Sequence, residues 1–134
     1  MEVFTLSAFE TSAEAFFTTL RRRHADLVLD VRLRNTNQLC GFTKKKDLEF
    51  LVPALTGAAY RHDLQLAPSP GLLDAYRHKD IPWETYRTRY RAEMEEAGAV
   101  EHFHKEYGRF HCVCILGTAT AKRRSHSEVL AELV

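Results

Sequence analysis

The order in which hydrophobic periodicity changes along the chain constrains its fold more than any other feature. Four short runs read as strands: Glu2–Leu6, Asp26–Val31, Tyr60–Leu64 and His111–Leu116. Each is followed by apolar residues at helical spacing. The first helix is expected to open on Thr11, with Glu14 three residues later forming a capping box, and to bury Phe16, Phe17 and Leu20. Arg21, Arg22 and Arg23 fall in its last turn, where the helix dipole favours cations. The second helix is expected from a Thr43 cap to about Leu55 on a Leu48, Leu51, Leu55 stripe, with Pro53 kinking it or ending it early. Pro68 and Pro70 enforce a turn, Leu72–Arg77 reads as a short helix, and Pro82 starts a longer one that Gly98 stops. Val100–Tyr107 and Ser127–Leu133 complete the helices.

Strand–helix alternation of this kind implies a mostly parallel sheet, because parallel neighbours need crossover connections and those connections cover both sheet faces. The fold class expected is a single α/β domain over residues 1–134, a three-layer α/β/α sandwich with about four strands, Rossmann-like in character. With 45% hydrophobic and 28% charged residues the chain can bury one ordinary core. It has no uninterrupted apolar run of membrane-spanning length and no basic-then-apolar leader, so a soluble, cytoplasmic protein is expected. Cys40, Cys112 and Cys114 are an odd number in a chain with a core of its own, which argues against a disulfide framework and fits a reducing compartment.

The net charge of +1 conceals an asymmetry. Arg32, Arg34, Lys44, Lys45 and Lys46 lie in residues 32–46, and Lys122, Arg123 and Arg124 in residues 117–127, with no acid in either segment. The remainder of the chain is therefore acidic. Each basic segment leaves the carboxyl end of an expected strand and runs into a helix start, where ligands bind in such sheets and where free N–H groups favour anions. Three lysines in a first helical turn oppose the dipole unless an anion offsets them. Arg32, Arg34, Lys44, Arg123 and Arg124 are accordingly the expected anion-binding residues, with Tyr60 and His62 as cleft lining from the third strand.

Three residues are candidates for chemistry. Asp30 and Arg32 project from one side of a strand end, so the carboxylate either aims the guanidinium or forms a structural ion pair with it. Cys114 alternates with Val113 and Ile115 on a buried strand; it reads as a small hydrophobe, or as a nucleophile were its pKa lowered by the basic loop. His126, beside Lys122, Arg123 and Arg124, would be kept neutral and usable as a base, or serve as a capping residue. His102 and His104 are two apart on a helix and point in different directions, so no metal is expected, and no cofactor motif is present. Trp83, Tyr86 and Tyr90 share one helical face and read as core.

The segments Asp30-Val31-Arg32, Phe42-Thr43-Lys44, Tyr60-Arg61-His62, Leu72-Leu73-Asp74-Ala75-Tyr76-Arg77 and Trp83-Glu84-Thr85-Tyr86 with Arg89-Tyr90 resemble, in that order and spacing, the family called domain of unknown function 488. The resemblance implies an α/β sandwich with a pocket and no established reaction. It also implies a Cys-His-Arg triplet at the last helix. Ser125-His126-Ser127 stands there instead, with Arg123 or Arg124 available to replace the charge, so thiol chemistry at the triplet is not expected. The reading is a protein that binds a phosphorylated or nucleotide-like anion at the carboxyl edge of the sheet, as an enzyme acting on it or as a binder. The alternative is a non-catalytic nucleic-acid-binding or regulatory module with a degenerate site.

Overall fold

The computed structural model describes residues 1–134. Four parallel strands, β1 (Glu2–Ser7), β2 (Leu27–Asp30), β3 (Ala59–His62) and β4 (Cys112–Gly117), form one sheet in the order β1-β4-β2-β3. Six helices cover it: α1 (Ala13–Arg22), α2 (Lys45–Thr56), α3 (Pro70–Arg77), α4 (Trp83–Glu96), α5 (Ala99–Tyr107) and α6 (His126–Leu133). The central strands β2 and β4 are buried along their whole lengths, which is why they read as continuous apolar runs. Register between them runs Leu27–Val113 to Asp30–Leu116, and the Asp26 carboxylate fixes it by accepting the N–H groups of His111 and Cys112, both at 2.9 Å.

Alternation along each strand divides the interior in two. Leu27, Leu29, Val31, Val113 and Ile115 face α3 to α6, packing against Tyr86, Tyr90, Phe103 and Leu130. Val28, Tyr60, Cys112, Cys114 and Leu116 face α1 and α2, packing against Phe16, Phe17, Leu20, Leu48 and Val52. The helix that follows β2 therefore lies on one face of the sheet and the helix that follows β4 on the other, although the strands are neighbours. Their loops diverge at the carboxyl edge and leave a crevice between them, the topological switch point at which open α/β sheets bind ligands.

The structure departs from several local expectations. Ser12, not Thr11, caps α1, its hydroxyl accepting the Ala15 N–H at 3.0 Å. The residues before α2 form a 3-10 segment, Gln38–Thr43, broken by Gly41 at φ 60°, so the α-helix starts at Lys45 rather than on a Thr43 cap. Pro53 does not end that helix. It lies on the exposed side of the last turn, where the carbonyl it leaves free belongs to exposed Glu49, and Gly57 closes the helix at φ 74°. No helix is long and apolar enough to cross a membrane.

At the end of β4 the chain passes close under the start of α6. A methyl group at Gly117 would sit 2.1 Å from Ser127 Oγ and 2.7 Å from Ser125 Oγ. Both serines are buried, so neither can swing away. Gly117→Ala is expected to lower stability by about 1–3 kcal/mol in urea denaturation, the usual cost of overpacking; a change within 0.5 kcal/mol, roughly the scatter of surface substitutions, would show that the two elements can separate freely.

Candidate functional site

Asp30 is the last residue of β2 and is fully buried. Its Oδ1 accepts Arg32 Nε at 2.9 Å and the Arg32 backbone N–H at 3.2 Å. Its Oδ2 accepts Arg32 Nη2 at 2.7 Å, Asn35 Nδ2 at 3.0 Å and the Tyr60 hydroxyl at 2.5 Å. Burial alone would raise the carboxyl's pKa; the Arg32 hydrogen bonds and charge, with those of Tyr60 and Asn35, outweigh it and hold the group below the ordinary carboxylate range. Burial and the adjacent Asp30 charge push the Tyr60 phenol far up, so it stays a donor. With both oxygens occupied by donors, Asp30 is an orienting group rather than a free base.

What it orients is Arg32, itself 1% exposed. Nη2 also donates to the Thr43 carbonyl at 2.6 Å, which ties the guanidinium to the segment leading into α2. His62 steadies the same stretch from behind, its Nε2 2.8 Å from the Arg32 carbonyl. One group is left over: Arg32 Nη1 is buried and has no hydrogen-bond partner. A buried charged donor without an acceptor costs on the order of 1–3 kcal/mol, so few are retained without cause.

Arg32 lines a cleft of about 360 Å³ at the carboxyl edge, between the loop after β2, α3 and the loop before α6. Its wall holds five arginines, Arg32, Arg34, Arg77, Arg123 and Arg124, and no carboxylate. Three of the five have acids behind them: Arg32 on Asp30, Arg34 on Asp74 with a forked pair at 2.8 and 3.2 Å, and Arg124 on Glu128 at 3.3 Å. Arg77 and Arg123 make no ion pair. The rest of the wall is mainly apolar, with Phe9, Leu33, Leu39, Leu73, Tyr76 and Tyr86 prominent. Tyr76 and Tyr86 are stacked at 4.1 Å, and the Tyr76 hydroxyl donates to the Arg124 carbonyl at 2.9 Å, so α3 and α4 brace the loop that carries Arg123 and Arg124.

His126 opens α6 at the floor of the cleft and is 1% exposed. Nε2 lies 2.7 Å from the Val31 carbonyl, and a carbonyl can only accept, so Nε2 carries the proton. Nδ1 is then the acceptor for the Tyr86 hydroxyl at 3.3 Å. Burial dominates and lowers the imidazole pKa to about 4, against smaller opposing contributions from the Val31 carbonyl and Asp30. The ring is thus neutral near pH 7, for a different reason than neighbouring cations, and both nitrogens are engaged. Ser125 caps the helix above it, and Glu128 returns a carboxylate to the Ser125 N–H at 3.0 Å.

The structure gathers Arg32, Arg34, Arg123, Arg124 and His126 from the sequence expectation into this one cleft. Five expected residues lie elsewhere, the first being Asp30, behind Arg32 and outside the cleft wall. Lys44 is the N-terminal flank of α2, held by Asp47 at 3.1 Å, and Lys45 approaches Glu49 at 3.9 Å; acids within the helix offset the lysines, and no external anion is needed there. Cys114 sits inside the sheet on the α1/α2 side, where burial raises its thiol pKa rather than the basic loop lowering it. Tyr60 and His62 act from beneath, on Asp30 and on the Arg32 carbonyl, without lining the cleft. Cys40, Tyr76, Tyr86 and Arg77 line it and were not anticipated as site residues. Tyr76 and Arg77 do belong to the Leu72–Arg77 segment quoted for the family resemblance, which was the available signal; Cys40 and Asn35 have none, being placed by tertiary structure alone.

A small parallel α/β sandwich with an arginine-lined cleft at its switch point is the class that fold and site define. The family model described as domain of unknown function DUF488 matches residues 12–134, and the chain belongs to that family. Searches of curated proteins and of solved structures returned no match.

Proposed function

We propose that the protein binds a small phosphorylated or nucleotide-like anion in the cleft at the carboxyl edge of the sheet. The observation that carries this reading is the wall of five arginines without a carboxylate, in which the buried Nη1 of Arg32 has no acceptor. Guanidinium groups suit phosphate because their planar donors match its oxygens in pairs. The apolar part of the wall suits the body of such a ligand, and the volume falls in the ordinary range for small-molecule sites. Full engagement of Asp30 and of both His126 nitrogens supports binding over acid–base catalysis by those two residues. A concave site on a chain whose remainder is acidic supports a small ligand over a nucleic-acid duplex.

Thermal unfolding tests this with inorganic phosphate, a nucleoside monophosphate, a sugar phosphate and a duplex oligonucleotide. A phosphorylated small molecule is expected to raise the melting temperature, since saturation at about 100 times Kd stabilises by about 2.7 kcal/mol. Arg123→Ala removes a cation with no ion pair and is expected to weaken that ligand about tenfold or more, the loss of one charge-assisted hydrogen bond. No shift with any phosphate would overturn the proposal. Stabilisation by the duplex alone, vanishing between low and physiological salt, would replace it with the nucleic-acid reading.

A further inference from the structure

Cys40 is one of three cysteines and the only one of them in the cleft wall. Cys112 and Cys114 are buried in β4, the first with its Sγ at 3.5 Å from the Arg23 carbonyl, and burial raises both thiol pKa values. Cys40 is partly exposed, next to Leu39, which stands almost fully in solvent at 92% exposure. It shares its cleft with Arg32, whose Nη1 is buried without a partner. A thiol reached through a wall of five arginines meets negatively charged reagents at raised local concentration.

We propose that Cys40 is a modification site for small disulfides that carry carboxylates, and that the mixed disulfide formed there closes the anion cleft to its ligand. The inference rests on the anion-binding reading of the cleft and adds its regulation. In the step, Cys40 gives its proton to water and the thiolate Sγ attacks one sulfur of the disulfide. The Cys40–sulfur bond forms as the reagent's S–S bond breaks, and the second sulfur departs with the electron pair and takes up a proton as a thiol. The disulfide is the oxidant, and no other reactant is needed. The half-molecule left on Cys40 sets its carboxylates among Arg34, Arg77 and Arg123 and fills the space the ligand would use. Reduction by excess thiol reverses the step and reopens the site.

The experiment compares oxidised glutathione, which is anionic, with cystamine, a cationic disulfide, each normalised to its rate on an unstructured cysteine peptide and followed by intact mass and peptide mapping. Oxidised glutathione is expected to modify Cys40 at least about tenfold faster than cystamine on that scale. Inorganic phosphate should slow the reaction, and Cys40→Ser should abolish it. Arg123→Gln and, separately, Arg77→Gln should each reduce the preference, so that a folding failure in one leaves the other decisive. Equal normalised rates, a preference for cystamine, or modification at Cys112 or Cys114 overturns the inference. Phosphate stabilisation of the unmodified chain without any disulfide preference sinks the role of Cys40 alone. Absence of phosphate stabilisation sinks the reading of the cleft beneath it.

Discussion

Replacing Arg32 with alanine is expected to lower the stability of the protein by about 3–5 kcal/mol, the range measured when one partner of a buried ion pair is removed. The size follows from what stays behind. Asp30 would keep its place at the end of β2, fully buried, after losing two of its five hydrogen-bond donations: the two from the guanidinium go, and the backbone N–H remains with Asn35 and Tyr60. The Thr43 carbonyl loses its donor as well, which loosens the segment entering α2. Arg32→Lys should recover only part of the loss, because an ammonium cannot supply parallel donors to both carboxylate oxygens and a third to Thr43 in one plane. Asp30→Asn combined with Arg32→Ala should cost less than the sum of the single changes, since the stranded charge is then gone. Urea denaturation reads all four variants, Asp30→Asn alone included, and a loss below about 1 kcal/mol in Arg32→Ala would mean the pair is no more than a surface ion pair in its effect. For this reason Arg123, on the exposed loop, is the residue with which to probe ligand binding.

The second large effect is a dependence of stability on pH that originates at His126. Its folded pKa, about 4, lies below the unfolded value of 6.5, so the unfolded chain binds the extra proton between the two. Stability therefore rises with pH across that window, is fully present above pH 6.5, and is lost as the pH falls towards 4. The full amplitude is about 3 kcal/mol. Asp26 and Asp30, whose pKa values are lowered from 3.8, act in the same direction at more acidic pH and leave this window to the histidine. Ring nitrogen resonances in heteronuclear NMR are expected to show His126 as the Nε2-protonated neutral form throughout the range from pH 7 to 5. A transition near 6.5 would contradict the assignment of the ring to a sealed position between Val31 and Tyr86.

Much of this architecture was visible in the sequence because β2 and β4 are short, apolar and separated by residues of helical period, and period is a property of nearest neighbours. The same holds for the two basic segments: once both were assigned to strand carboxyl ends, topology brought Arg32 and Arg123 to one cleft. Charge without geometry was a weak guide at Lys44 and Lys45. Their partners Asp47 and Glu49 were in plain view in the sequence, and side-chain pairing within the first turns of α2 gives those two lysines an acid without an external anion. Of the two readings of Cys114, the small buried hydrophobe is the one its surroundings fit; it points towards α1 and α2 while the cleft opens at the edge. Asn35 and Cys40 were silent for a further reason. They sit in irregular and 3-10 backbone after β2, where no period exists to announce a side chain's direction, and only the fold brings Asn35 against Asp30 and Cys40 into the cleft wall.

The central claim is that this cleft holds an anion between Arg32 on one side and Arg123 on the other. Titration of the labelled protein with inorganic phosphate, followed by amide and guanidinium Nε–H resonances, tests it most directly. The account predicts saturable shifts concentrated on Arg32, Arg34, Thr118, Arg123 and Ser125, greatly weakened in Arg123→Ala. Shifts centred instead on Lys44–Lys46, or scattered over the surface without saturation, would contradict it.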